Sequence, residues 1–260
     1  MSNLLLIRKK LLLLLVAGAL LLCACGENRA LDRIKKSGAI TVITRNNAHC
    51  YYIYRNQEMG FEYELAKAFA DYLGVELEVK VCKSWNELLP SLDKEGGDFV
   101  AASVTITSSR LEMADFSNEY LSVQQMVITH KDNLQVNSID DLEGKTIRVQ
   151  GQTSYEERLK KLKGNRLDMT IQARHDVSTE EIIEDVAKGR IEITLADSNV
   201  ALLNRRYYPD IRIAFPIGEP QSLGWAVKKG GGALLDKINT FFDSIKQEGT
   251  FDDIYKRYYA

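Results

Sequence analysis

An apolar run, Phe99-Val100-Ala101-Ala102, gives way at Ser103 to a string of hydroxyl side chains that ends in one arginine, Arg110. The run has the length of a short buried strand. The hydroxyls and the arginine put hydrogen-bond donors and one fixed positive charge at that strand's carboxyl end. Open α/β sheets bind small ligands at this edge. A guanidinium there can grip a carboxylate through two parallel charge-assisted bonds. A lone arginine is more often a solvated surface residue; the cluster of Ser103, Thr105 and Thr107 ahead of it is what argues for a site.

The periodicities on either side agree with such a sheet. Ala30 to Lys36 reads as an entry helix and Ala39 to Thr44 as the first strand. Phe61, Leu65, Ala68, Phe69, Tyr72 and Leu73 recur at helical spacing and stop at Gly74. Val75 to Val81 alternates, Trp85 to Leu92 reads as a short helix, and Asp98 to Ala102 as the next strand. This β-α-β-α-β order predicts a parallel sheet covered by helices. Val123 to Thr129 is a strand pattern with no helix before it, so the chain is expected to cross there into a second lobe. That lobe repeats the alternation, with strands at 146–150, 168–172 and 192–195. Helices are expected at 155–162, 179–187 (capped by Ser178) and 199–205. Ile211 to Phe215 leads back, and Leu223 to Val227 and a helix over 233–246 complete the first lobe. The expected fold class is α/β in two lobes, each a mostly parallel sheet with flanking helices. Two short crossings, near Leu121 and Gly218, suit a hinge better than a flexible tether. Lobe 1 is then 25–121 with 218–260, and lobe 2 is 122–217.

At the amino terminus Arg8, Lys9 and Lys10 precede an apolar run, Leu11 to Leu22, too short to span a bilayer comfortably. A basic segment followed by a short apolar one reads as a secretory signal over residues 1–24. It ends Leu22-Cys23-Ala24-Cys25, which resembles a bacterial lipoprotein signal with Cys25 as the lipidated residue; the alternative is an uncleaved membrane anchor. The remainder, about 235 residues, has room for one large domain or two lobes. Cys50 and Cys82 stay in an exported compartment where disulfides form. In a 2-1-3 strand order Cys50 lies just beyond the first strand and Cys82 ends the second. Their Cα atoms would then fall within the roughly 4.4–6.8 Å a disulfide needs. A Cys50–Cys82 disulfide and two unpaired thiols are both open readings.

Several function classes find no support. Net charge is −2, with no basic stripe, so nothing points to nucleic acid. His49, His130 and His175 are scattered without metal-ligand spacing. Gly230-Gly231-Gly232 lacks Walker or Rossmann spacing, and no hydrolase or zinc-protease motif occurs. No cofactor, metal or catalytic residue is expected, and the chain does not read as an enzyme.

Ser103, Thr105, Thr107, Arg110, Asp115-Phe116-Ser117 and Tyr120 together resemble the ligand-carboxylate motif of the bacterial extracellular solute-binding proteins of family 3. These are receptors for amino acids and related small solutes. Gly60 to Ala66, Trp85 to Leu92, Leu142 to Ile147 and Gly249 to Tyr258 match further family segments in order. More narrowly, Tyr120 to Val127, Glu184 to Ser198 and Asn204 to Pro209 resemble the solute-binding module that precedes the catalytic domain in membrane-bound lytic murein transglycosylases of the F type. The sequence ends at Ala260, where that module ends, so the resemblance brings a binding domain and no catalytic domain.

The resemblance implies a type II periplasmic-binding fold, lipid-anchored in the cell envelope outside the cytoplasmic membrane. It implies a monomer that captures an amino acid or similar zwitterionic solute by hinge closure and hands it to an ABC permease. The alternative is a muropeptide-sensing regulatory module. Arg110, helped by Ser103 and Thr105, takes the solute's carboxylate. Asp197 pairs with its ammonium; the alternative for Asp197 is a helix N-cap for the segment starting at Asn199. Thr153 and Ser154 offer hydroxyls before a helix whose N-terminus favours anions. Gln152 stands where the family usually has glycine. Trp85 walls the pocket or belongs to the core. One of His49, Tyr51 and Tyr52 covers the solute side chain, and Tyr52 is the residue chosen.

Overall fold

The structure is a computed structural model that describes residues 29–259 other than 95 and 166. The expected signal segment and the lipidation site Cys25 lie outside the described residues.

The first lobe grows from α1 (Arg29–Ser37) into β1 (Ala39–Arg45), whose Ile40, Val42 and Ile43 are fully removed from water. A hairpin follows, β2 (Tyr52–Tyr54) against β3 (Gln57–Met59). Helix α2 (Phe61–Leu73) buries Phe61, Leu65 and Phe69, the stripe that the helical spacing predicts. It stops on Gly74, whose φ of 71° is the left-handed cap that glycine adopts without strain. Then come β4 (Glu76–Cys82), α3 (Pro90–Asp93), β5 (Phe99–Val100), α4 (Ser108–Leu111) and β6 (Asp115–Phe116). Strand β1 lies parallel to both β4 and β5, with Arg45 opposite Cys82 and Val42 opposite Phe99.

The chain leaves this lobe through β7 (Leu121–Val123) and enters β8 (Gln125–His130). The second lobe continues with β9 (Thr146–Gln150), α5 (Ser154–Asn165), β10 (Thr170–Arg174) and α6 (Thr179–Ala187). It closes with β11 (Ile193–Asp197), α7 (Ser198–Tyr207) and β12 (Ile211–Pro216). Return is through β13 (Gln221–Leu223), which pairs antiparallel with β7, so the two crossings form one two-stranded ribbon. Strand β14 (Ala226–Val227) inserts into the first sheet, and α8 (Gly232–Gln247) and α9 (Thr250–Tyr259) cover it.

The two sheets have strand orders β4-β1-β5-β14-β6 and β10-β9-β11-β8-β12. In each sheet four of the five strands run the same way, and one strand, β14 in the first and β8 in the second, runs antiparallel to both its neighbours. The core of lobe 1 gathers around Trp225, ringed by Phe69, Phe99, Phe241 and Phe242. The core of lobe 2 gathers Val127, Ile147, Leu159 and Leu195. Among the described residues no helix is long and apolar enough to cross a membrane.

Three expectations change. The segment from Trp85 to Leu92 is two pieces, a 3₁₀ turn at Trp85–Glu87 and α3 starting at Pro90. Proline fits a first helical turn and breaks a continuous one. Leu223 to Val227 is likewise two strands, one in the ribbon and one in the sheet. The Cys50–Cys82 disulfide is not formed: both thiols are buried and free. Beyond Arg45 the chain bridges back on itself at Asn46 and Asn47 against Tyr51. Cys50 is thereby packed against Gly60, where a Cβ would come 2.2 Å from the Cys50 carbonyl oxygen, and Cys82 Sγ lies 3.6 Å from Ser91 Oγ.

Candidate functional site

The segment from Ser103 to Arg110 is fixed from below by a buried carboxylate. Glu62, at the start of α2, is fully buried. Its Oε1 accepts from Ser103 N–H at 2.7 Å, from Ser103 Oγ at 2.9 Å and from the Tyr120 hydroxyl, and its Oε2 accepts from Trp225 Nε1 at 2.9 Å. Burial pushes the Glu62 carboxyl up, and these donors oppose that push. They hold Ser103 at φ 52°, a left-handed backbone that a non-glycine residue keeps only when its surroundings impose it. The strand end therefore turns sharply. The Ser103 hydroxyl, expected to face a solute, donates to Glu62, so Ser103 positions the segment.

Past that turn Thr107 caps α4, its side chain accepting from Arg110 N–H. Arg110 is 6% exposed. Its Nη1 donates to the Thr105 carbonyl at 2.9 Å, and its Nη2 is buried without a partner. The guanidinium lies 5.2 Å from the centre of the Trp85 ring. Burial lowers its pKa, and the charges of Glu157 and Asp197 oppose the change.

Asp197 ends β11 in the other lobe and is 4% exposed. It occupies the N-cap position of α7, but its side chain makes no capping bond. Its N–H donates to the Tyr155 hydroxyl at 3.1 Å, and its Oδ1 is buried with no partner. Burial pushes the carboxyl up to about 6, against a hydrogen bond from Tyr155 and the charge of Arg110. The helix-cap reading that its position also allows is not met, since the side chain makes no capping bond.

The lobes meet over these groups. Thr105 Oγ1 lies 3.4 Å from Ser154 Oγ, which also accepts from Gln125 Nε2 at 3.0 Å. Thr153 Oγ1 donates to the Gln150 carbonyl at 2.7 Å. Trp85 Nε1 donates across the cleft to the Gln152 carbonyl at 3.0 Å. Gln152 takes φ 59°, the backbone a glycine would supply, and its N–H donates to Glu156 Oε2 at 2.7 Å. Between the lobes lies a cavity of about 30 Å³, lined by Arg45, His49, Trp85, Thr105, Glu180 and Asp197 among others. That is room for about one water, so a solute enters only when the lobes part. Outside Trp85 a groove of about 540 Å³ runs along Arg110, Met113, Gln152 and Lys160.

Residues 40–260 match the bacterial extracellular solute-binding proteins, family 3. The chain belongs to that family.

Its relatives include membrane-bound lytic murein transglycosylase F of Desulfosudis oleivorans, 52% identical over 89% of this chain and 51% of that protein. The corresponding protein of Pseudomonas syringae pv. tomato is 37% identical over 93% of this chain and 49% of that protein. The chain thus spans about half the length of the curated relatives it matches. Among solved structures, an ancestral arginine-binding protein bound to arginine superposes with a TM-score of 0.76 at 30% identity, covering 86% of this chain and 99% of that one. Holo ArgBP from T. maritima gives 0.74 at 26% identity, covering 88% and 99%. The family-3 fold is a two-lobed binding module of the type II class.

Within this family-3 module the expected residues separate into two groups. Arg110, Trp85, Thr105, Thr153, Ser154 and Asp197 come together at the interlobe cleft. Tyr52 does not. It sits in β2 against the lobe 1 core, lining a different crevice with Leu203, Tyr207 and Tyr258. The fold-back at Asn47 and Tyr51 turns His49 inward instead, with its Nδ1 3.3 Å from Glu180 Oε1. Burial lowers His49 to about 4; Glu180 opposes this, and Arg45 adds to it. Arg45, Glu180 and Tyr155 are cavity residues that no sequence motif marks. Arg45 closes β1 as Asp197 closes β11, so the strand-end rule applied to Arg110 would have found it.

Proposed function

We propose that this family-3 module captures a small zwitterionic solute of the amino-acid type by closing its lobes around it. Arg110 and Thr105 take the carboxylate from one lobe. Asp197 takes the ammonium from the other, with Thr153 and Ser154 beside it at the start of α5. The observation that carries the reading is a pair of orphans. Arg110 Nη2 and Asp197 Oδ1 are both buried without partners, and they belong to different lobes. An unpaired buried charge costs several kcal/mol, and a zwitterion supplies both missing partners. Contacts on both lobes favour the closed state over the open one, which is what a hinge switch needs.

The pH dependence comes from Asp197. Its folded value, about 6, lies above the ordinary carboxylate range. Without solute, its stabilising contribution is full below the unfolded value and is lost as pH rises through about 6. Solute reverses the preference, because an ammonium pairs with the ionised form. Affinity for an α-amino acid should therefore fall as pH drops below about 6, and the Asp197→Asn variant should lose that step. Calorimetry between pH 5 and 8 checks both.

An envelope location fits the family and its membrane-bound relatives. We place a lipid on Cys25 as the anchor, and an ABC permease as the partner that receives the solute from the closed monomer. Cys25→Ala should leave an unprocessed precursor that takes up no labelled palmitate; unchanged label on that variant would refute the anchor. The transglycosylase relatives favour a second reading, a module that senses muropeptide fragments and regulates cell-wall turnover. A thermal-shift screen across amino acids and muropeptides separates the two, since a ligand at 100 times its Kd adds about 2.7 kcal/mol of stability.

A further inference from the structure

We infer that the cleft holds a second charge-complementary pair, Arg45 and Glu180, and that its solute is a diamino dicarboxylic acid, zwitterionic at both ends. The inference rests on the Arg110–Asp197 clamp and extends it to the far end of the ligand.

Arg45 ends β1 and is 9% exposed. Its guanidinium makes no hydrogen bond or ion pair among the described residues. It lies 5.5 Å from the centre of the Trp85 ring, as Arg110 does at 5.2 Å. Glu180, in the first turn of α6, belongs to the opposite lobe. Its Oε2 is buried without a partner, and its Oε1 faces His49 Nδ1 at 3.3 Å. His49 is neutral near pH 7, so it does not balance the Glu180 charge. Arg45, Glu180 and Asp197 line the same small cavity, and Trp85 lines both that cavity and the larger groove beside Arg110.

The charges therefore alternate by lobe. Two guanidiniums stand on lobe 1 and two carboxylates on lobe 2, and none of the four forms an ion pair with another. An amino acid with an uncharged side chain answers Arg110 and Asp197 and leaves Arg45 and Glu180 desolvated. Arginine or lysine answers Glu180 and sets a cation beside Arg45. Glutamate answers Arg45 and sets an anion beside Glu180. A solute with two carboxylates and two ammoniums matches all four in sign, and like-charge juxtaposition disfavours the rest.

The test is calorimetry on the full chain with meso-diaminopimelate and L-cystine against L-alanine, L-arginine and L-glutamate. A two-headed compound should bind at least tenfold more tightly than any of the three. Arg45→Gln and Glu180→Gln should each lower the ratio of two-headed to alanine affinity by tenfold or more. Arg45→Lys, which keeps the charge, should retain most of the preference and guards against a misfolded glutamine variant. Arginine or glutamate binding as tightly as the two-headed compounds would overturn the inference and leave the clamp standing. So would glutamine variants that leave the ratio unchanged. Failure of all five compounds to bind would overturn the clamp, and this inference with it.

Discussion

Replacing Arg110 with alanine should weaken solute binding by about 30-fold or more. The guanidinium is nearly out of water, spends one nitrogen on the Thr105 carbonyl and leaves another buried and unpartnered. A solute carboxylate entering that space is stripped of water before it is paired. Without Arg110 it stays unpaired, at a cost of roughly 2–5 kcal/mol. Its side-chain hydrogen bond goes to a carbonyl only five positions away, and its ring contact is with Trp85, so the effect on binding should exceed the effect on the fold. Calorimetry with a solute that binds the wild-type chain, run beside a thermal melt, separates the two effects. Lost affinity with a nearly unchanged melt is the expected outcome. A variant that binds within threefold of wild type removes Arg110 from the site.

Trp225→Ala should be the costliest single change to the fold, lowering the stability of lobe 1 by about 3–5 kcal/mol. Its ring is fully buried, with centroids 4.8 Å from Phe242, 4.9 Å from Phe99 and 5.9 Å from Phe69. Truncation leaves a void in the centre of the aromatic cluster. It also strips Glu62 Oε2 of its donor, and an unsatisfied buried acceptor adds about 1–3 kcal/mol. Because Glu62 also holds Ser103 in its turn, the damage reaches the Arg110 segment. Urea unfolding measures the loss; a change under 1 kcal/mol would show that the cluster repacks and that Trp225 is not its centre.

The two-lobed fold was legible because each element announced itself by period and punctuation. The stripe from Phe61 to Leu73 ending at Gly74, and the Ser178 cap, fall where the sequence puts them. The three strands β4, β1 and β5 lie in the 2-1-3 order that the sequence reading assumed. Arg110 and Asp197 were legible by another route, as isolated charges after apolar strands. The hidden features depend on where short segments turn. Between Arg45 and Gly60 no period exists, so nothing in the sequence tells that Arg55 and Asn56 take left-handed backbones, that Tyr52 faces away, or that His49 turns in. The same turn separates Cys50 from Cys82. Glu62 looked like an ordinary acidic residue in a helix's first turn, and Ser103 like a ligand hydroxyl. Only their contact, across 41 residues, shows that one holds the other.

The zwitterion clamp requires Asp197 to act as the ammonium partner and not as a helix cap. Asp197→Asn keeps the shape and removes the charge. Calorimetry should compare wild type and this variant with a bound α-amino acid and with its des-amino analogue. The predicted result is a loss of tenfold or more for the amino acid and a much smaller change for the analogue. Equal losses for both compounds would make Asp197 a structural residue and contradict the zwitterion clamp.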